Sequence, residues 1–198
     1  MYDQLSRQCG PDNFYLVALR SFKSFCLEKA FILDKNNSMS LATRDEQMAE
    51  NLFWLANKKY PHEKIIVWAA NYHIIRNKSE AFNKTYKKPF SMGYLFGNFS
   101  GMADQTYIMS FTGFEGISKW KTSGRTIKLS PAGDNSLEGW INKAGFKNGF
   151  IDFKAFLKGH PGYDERFSMR GYDWLDAKLN WVQAYDGVFY IGTTQPCE

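Results

Sequence analysis

The stretch Lys64-Ile-Ile-Val-Trp-Ala-Ala-Asn-Tyr-His73 decides the fold. Ile65 to Ala70 is an unbroken apolar run, preceded by Pro61-His-Glu-Lys64 and followed by the polar Asn71. Such a run, short and rich in β-branched residues, predicts a strand buried on both faces, as in a parallel sheet. Asn71 and His73 then fall where the strand gives way to a loop. Ligands of open α/β sheets bind beyond the carboxyl ends of the strands, which makes this pair a candidate site. The same spacing also serves a plain turn, in which an Asn and a His only hydrogen-bond their own loop.

The flanking segments read as alternating helices and strands. Thr43-Arg44-Asp45-Glu46 opens a helix: Thr43 caps it, Glu46 stands three residues later, and two acids face the positive end of the dipole. Met48, Leu52, Phe53, Leu55 and Ala56 form its apolar stripe, and Pro61 stops it. Upstream, Phe14, Val17, Ala18, Phe22, Phe25 and Cys26 recur at three- and four-residue intervals, an amphipathic helix over roughly residues 13–30 with Cys26 as a small core residue. Asp34-Lys-Asn-Asn-Ser38 breaks it, so residues 1–38 make an amino-terminal helical segment.

Beyond His73, the basic connection Ile74–Lys88 ends at Pro89, and Ser91-Met-Gly-Tyr-Leu-Phe96 starts a short helix. Gln105–Phe111 is a second strand with a loop over Thr112–Gly116, and Thr126–Leu129 a third. Asn135–Ala144 is a helix capped by Asn135 or Ser136, while Gly149–Phe153 and Phe189–Ile191 complete the strands. The order helix, short turn, buried strand predicts an α/β fold with a central, mainly parallel sheet flanked by helices, as a single domain or domain fragment over residues 1–198.

Composition narrows the class. With 44% hydrophobic and 17% aromatic residues the chain has ample material for a packed core. Its net charge of +5 is scattered, without the basic face or motif of a nucleic-acid binder. Cys9, Cys26 and Cys197 are an odd, widely separated set that specifies neither a disulfide framework nor a zinc site. No apolar stretch reaches the roughly 20 residues of a membrane span, and Met1-Tyr-Asp-Gln-Leu-Ser-Arg7 is too polar for a signal peptide.

The chemistry that remains is proton transfer. His62, His73 and His160 are far apart and show no metal-ligand spacing, and no serine nucleophile elbow or glycine-rich nucleotide loop occurs, so no metal or cofactor is expected. His73, at a strand end, can take a proton from water attacking a carbonyl. Asp45, Glu46, Glu80 and Glu115 are all candidates to orient it. Arg44 opposes the dipole of its helix, which suggests an ion pair or a substrate contact; the alternative is an exposed arginine bonded to a neighbouring loop. At Met92-Gly93, the amides of a helix start could face the His73 crevice, or the glycine could serve close packing alone.

Taken together, Arg44-Asp-x-x-Met48-Ala-x-Asn51, Ile66-Val-Trp-Ala-x-Asn71-x-His73, Met92-Gly93 and Tyr185-Asp186-Gly-Val-Phe-Tyr-Ile191 with Thr193-Thr194 resemble the erythromycin esterase-like family. The resemblance covers roughly residues 40–194. It implies an α/β fold and hydrolysis of a small-molecule ester or lactone by histidine-assisted attack of water, without a serine nucleophile or cofactor. His73 matches the second histidine of the family's Trp-Ala-His-Asn-x-His motif, and Ala70 stands in place of the first. Arg44, Asp45, Asn71, Met92 and Gly93 would then lie on the substrate side. Family members are longer, so the resemblance also implies a carboxy-terminal portion that pairs with a missing amino-terminal half or with another copy. A non-catalytic ligand-binding module that keeps the fold is the alternative.

Overall fold

Helix α1 (Phe14–Leu33) begins where Asn13 turns its side-chain oxygen onto the Tyr15 amide, and it ends at Lys35, whose φ of 55° folds the chain back. The computed structural model describes residues 7, 9–10, 12–76, 91–119, 124, 126–172 and 174–196. They form two compact units, one of Met1–His73 with Lys78–Thr106 and one of Ile74–Asn77 with Tyr107–Glu198.

In the first unit, α2 (Asn37–Trp54) is capped by Asn36, whose side chain accepts from the Met39 amide at 3.3 Å. The expected start at Thr43 is therefore superseded. Asn36 satisfies an orphan amide earlier in the chain, and Thr43 to Glu46 lie inside the helix. α2 runs into one π-helical turn, Leu55–Lys59, and stops before Pro61. After the short turn α3 (Asn71–Ile74) comes α4 (Met92–Asn98), capped by Ser91 onto the Tyr94 amide, as the sequence predicts. Residues 77–90, which carry most of the basic connection, lie outside the described residues.

The rotation of α1 departs from the sequence expectation, which holds at Val17 but not at the phenylalanines. Its polar side packs on α2: Ser24 Oγ donates to the Thr43 carbonyl at 3.1 Å, and Ser21 exchanges hydrogen bonds with Asn51. Leu16, Val17 and Ser24 are buried, whereas Phe14, Phe22, Phe25 and Cys26 are exposed. Spacing identifies which residues share a face, but these side-chain hydrogen bonds decide which face turns inward.

Residues 64–70 also correct the expectation. The segment belongs to no ladder among the described residues, and Ile66 and Trp68 are 92% and 84% exposed. A buried strand has cover on its faces, and the exposure of Ile66 and Trp68 shows that this segment is not one.

The second unit holds a four-stranded sheet of β1 (Met109–Lys119), β2 (Thr126–Leu129), β3 (Asn148–Asp152) and β6 (Gly187–Thr194), ordered β2-β1-β6-β3. The central β1–β6 ladder is parallel, from Met109 opposite Gly187 to Gly116 opposite Thr194, and both flanking ladders are antiparallel. β1 thus continues through Thr112–Gly116, where a loop was expected. Gly116 makes this possible: at φ 128° it lies so close to β6 that a Cβ would stand 2.2 Å from the Thr194 carbonyl oxygen. A second sheet, β4 (Phe167–Tyr172) against β5 (Leu175–Leu179), has no counterpart in the sequence reading. Helices α5 (Leu137–Lys143), α6 (Phe153–Gly159) and α7 (Trp181–Ala184) complete an α/β unit whose core includes Met169, Trp181, Tyr185, Val188 and Tyr190. No helix among the described residues is long and apolar enough to cross a membrane.

Asp186 joins the parallel pair at its start. Its Oδ2 accepts from the Ile108 amide at 2.6 Å and from Arg76 at 2.5 Å, while its carbonyl accepts from Lys154 N and Tyr107 OH. Removing the side chain strands a buried amide and a half-buried guanidinium. Asp186→Ala is expected to cost about 2–4 kcal/mol in urea denaturation, and Asp186→Asn, which keeps an acceptor for Ile108, clearly less.

Asp152 caps α6 by accepting from the Ala155 amide at 2.8 Å, and that bond above all holds its carboxyl below the usual carboxylate range. A depressed carboxyl stabilises the fold above the unfolded value of about 3.9, and the gain is lost as pH falls through the lower folded value. The stability difference between the wild type and Asp152→Ala is therefore expected to shrink as pH falls below the unfolded value of about 3.9 in acid-denaturation titrations.

Candidate active site

The site starts from a stripe of small residues on α2. Ala42, Asp45 and Ala49 share one face of the helix and all three are buried, with Asp45 at 0% exposure. Alanine methyls cannot solvate a carboxylate, so this one needs a partner. His73 provides it, its Nδ1 lying 2.5 Å from Asp45 Oδ1. The α3 turn presents the ring: the His73 amide donates to the Ala70 carbonyl at 2.9 Å, and the ring of Tyr72 stands edge-on to the imidazole at 5.3 Å.

The chemistry of this pair follows from its inventory of protons. A carboxylate only accepts, so toward an Asp45 carboxylate the His73 Nδ1–H is the donor, and in the neutral ring Nε2 then carries the lone pair. The side chain of His73 is 16% exposed while Asp45 is sealed off. A base anchored on its inner nitrogen and reachable from outside is the arrangement that general-base catalysis requires.

Of the four carboxylates left open by the sequence, Asp45 is the one bonded to His73. Glu46 is half-buried beside it on α2, Glu115 lies on β1 in the other unit, and Glu80 is outside the described residues. Asp45 is thus buried and bonded to the imidazole. Arg44 is exposed, roughly 100° around α2 from Asp45. Asn71 is half-buried and opens the turn that carries His73, and Ala70 before it is exposed. Met92 and Gly93 are buried in the first turn of α4. Among the described residues no group of three or more His, Cys, Asp or Glu side chains is placed to hold a metal ion.

The second unit contains an acid that sequence reasoning passed over. Glu138, fully buried in the first turn of α5, accepts from Thr112 Oγ1 and from the Arg170 amide at 2.7 Å. Arg170 spends its own guanidinium on Asp176 and on the carbonyls of Phe114 and Ser130. Burial, and behind it the charge of Glu138, pushes the Tyr190 phenol up. In the sequence Glu138 has the look of an ordinary first-turn acid, and no local signal marks it as internal.

The fold and the His–Asp pair place the molecule among α/β proteins with a histidine-centred candidate site. Residues 18–194 match the model of the erythromycin esterase family, and the chain belongs to that family. Among curated proteins it is 27% identical over 164 residues to YbfO of Bacillus subtilis (strain 168), classed by name with the hydrolases; the match covers 79% of this chain and 36% of YbfO. A Bacillus cereus protein of solved structure shares the fold at a TM-score of 0.56 and 18% identity, over 79% of this chain and 39% of its own. A histidine-to-asparagine mutant of the erythromycin esterase EreC, in its open conformation, does so at 0.57 and 13%, over 91% and 52%. A succinoglycan biosynthesis protein does so at 0.58 and 14%, over 90% and 49%. The chain thus spans between about a third and a half of the length of these relatives.

If Asp45 fixes the tautomer, its removal frees the ring. In Asp45→Ala, long-range proton–nitrogen NMR should show His73 moving from the Nδ1–H form toward the Nε2–H form favoured by free imidazole. The same change is expected to lower stability by about 1–3 kcal/mol, read from denaturant melts.

Proposed function

We propose that the chain is an erythromycin esterase-like hydrolase acting on a small-molecule carboxylic ester or lactone, as the carboxy-terminal portion of the family's architecture. The observation that carries this reading is the bond between buried Asp45 and partly open His73. His73 Nε2 takes a proton from water as its oxygen attacks the substrate carbonyl. The ester C–O bond then breaks, and the imidazolium returns the proton to the departing alkoxide. Asp45 stays ionised and stabilises the imidazolium. Arg44 and Asn71 flank this pair in sequence and serve as orienting or oxyanion-side groups, with Met92 and Gly93 as packing beneath the substrate.

One observation favours a second reading, a ligand-binding module without turnover. Ala70 stands where the family motif places a histidine, and a methyl group moves no proton. Hydrolysis of an aryl ester by the wild type and by His73→Ala decides between them, the exposed His62 and His160 giving both proteins the same background. The hydrolase reading expects kcat to fall by roughly 10²–10⁴-fold in the variant. Equal turnover would overturn it, and saturable lactone binding in calorimetry with no turnover would establish the binding module.

A further inference from the structure

In the second unit three side chains sealed from solvent each keep one polar atom without a hydrogen-bond partner among the described residues: Ser110 Oγ, Glu138 Oε2 and Tyr190 OH. They share one layer. Side chains of a strand alternate between faces, so Ser110 and Thr112 of β1 emerge on the same side, and Tyr190 of β6 stands opposite Thr112 across the parallel ladder. α5 packs over this side, where Glu138 Oε1 accepts from Thr112 Oγ1 and from the Arg170 amide. The charge of Glu138 reaches the Tyr190 phenol.

Polar groups nearby are already committed. The Arg170 guanidinium is spent on Asp176 and two carbonyls, Ser136 Oγ on the Gly133 carbonyl and the Gly139 amide, and Tyr185 OH on the Gly171 carbonyl. Nor do the three groups bond one another, although either hydroxyl could donate to the carboxylate. The fold holds them outside direct hydrogen-bond geometry, and left dry each would carry the full penalty of an unpaired buried polar atom. We infer that Ser110, Glu138 and Tyr190 enclose an internal water site, in which an ordered water accepts from the two hydroxyls and donates to Glu138 Oε2. Three hydrogen bonds are the usual complement of a buried water. Water fits because it both accepts and donates, whereas an apolar filler leaves all three atoms unpaired. It ties β1, β6 and α5 into one network.

The inference is independent of the hydrolysis reading, and its test reads no activity. Tyr190→Phe and Ser110→Ala each remove one oxygen and leave the shape of the layer close to intact. In a dry site either change deletes an orphaned hydroxyl, so the melting temperature stays the same or rises. In a hydrated site either change costs a hydrogen bond, and each variant is expected to melt about 2–4 °C lower. The double variant should lose clearly less than the sum, because both hydroxyls act on the same water. A crystal structure of the chain, at a resolution that shows ordered waters, is expected to place density within hydrogen-bond reach of at least two of the three oxygens. An unchanged or raised melting temperature in Tyr190→Phe would overturn the inference, as would fully additive losses in the double variant. So would a site without density, or a direct hydrogen bond from either hydroxyl to Glu138 Oε2.

Discussion

A carboxylate removed from water must be given hydrogen-bond donors, and three buried acids organise this molecule under that constraint. Asp45 has no solvent and two alanines along its stripe, so the chain must bring a donor to it, and the α3 turn delivers His73. Glu138 takes donors from β1 and β4, which fixes α5 over the sheet. Asp186 gathers the Ile108 amide and Arg76 where the parallel ladder begins. Each acid is expensive to bury and more expensive to leave unpaired, so each specifies an arrangement more sharply than an apolar residue of its size.

The consequence for chemistry is confined to one of the three. Glu138 Oε1 and Asp186 Oδ2 accept from backbone amides, a hydroxyl and a guanidinium, groups that hold the framework. Asp45 alone is bonded to an imidazole, and that imidazole keeps an edge toward solvent. The same physical demand therefore yields two structural anchors and one candidate proton-transfer group. The difference lies in the partner and its exposure.

The first unit shows the opposite situation, apolar side chains such as Phe22, Phe25 and Leu33 turned to solvent. Its helices satisfy their own backbone, so α1 and α2 hold together through a few serine and asparagine hydrogen bonds even with phenylalanines facing outward. A strand has no such autonomy. Its amides and carbonyls point sideways and require another strand, and among the described residues 64–70 belong to no ladder.

The sequence by itself determined what is local. Helix starts near Asn13 and Ser91, the cap at Ser136, the stop at Pro61, the strand Thr126–Leu129 and the family pattern around Arg44-Asp45 and Asn71-x-His73 were legible because each depends on side chains a few residues apart. Tertiary structure alone decided which side of α1 is inward, that β1 runs through Thr112–Gly116, and that Asp45 is the acid on His73. Those outcomes depend on groups distant along the chain: Ser24 meets the carbonyl of Thr43, Gly116 meets Thr194, and Asp45 meets a histidine 28 residues later. Periodicity records that a face is apolar, whereas only packing records what, if anything, lies against it.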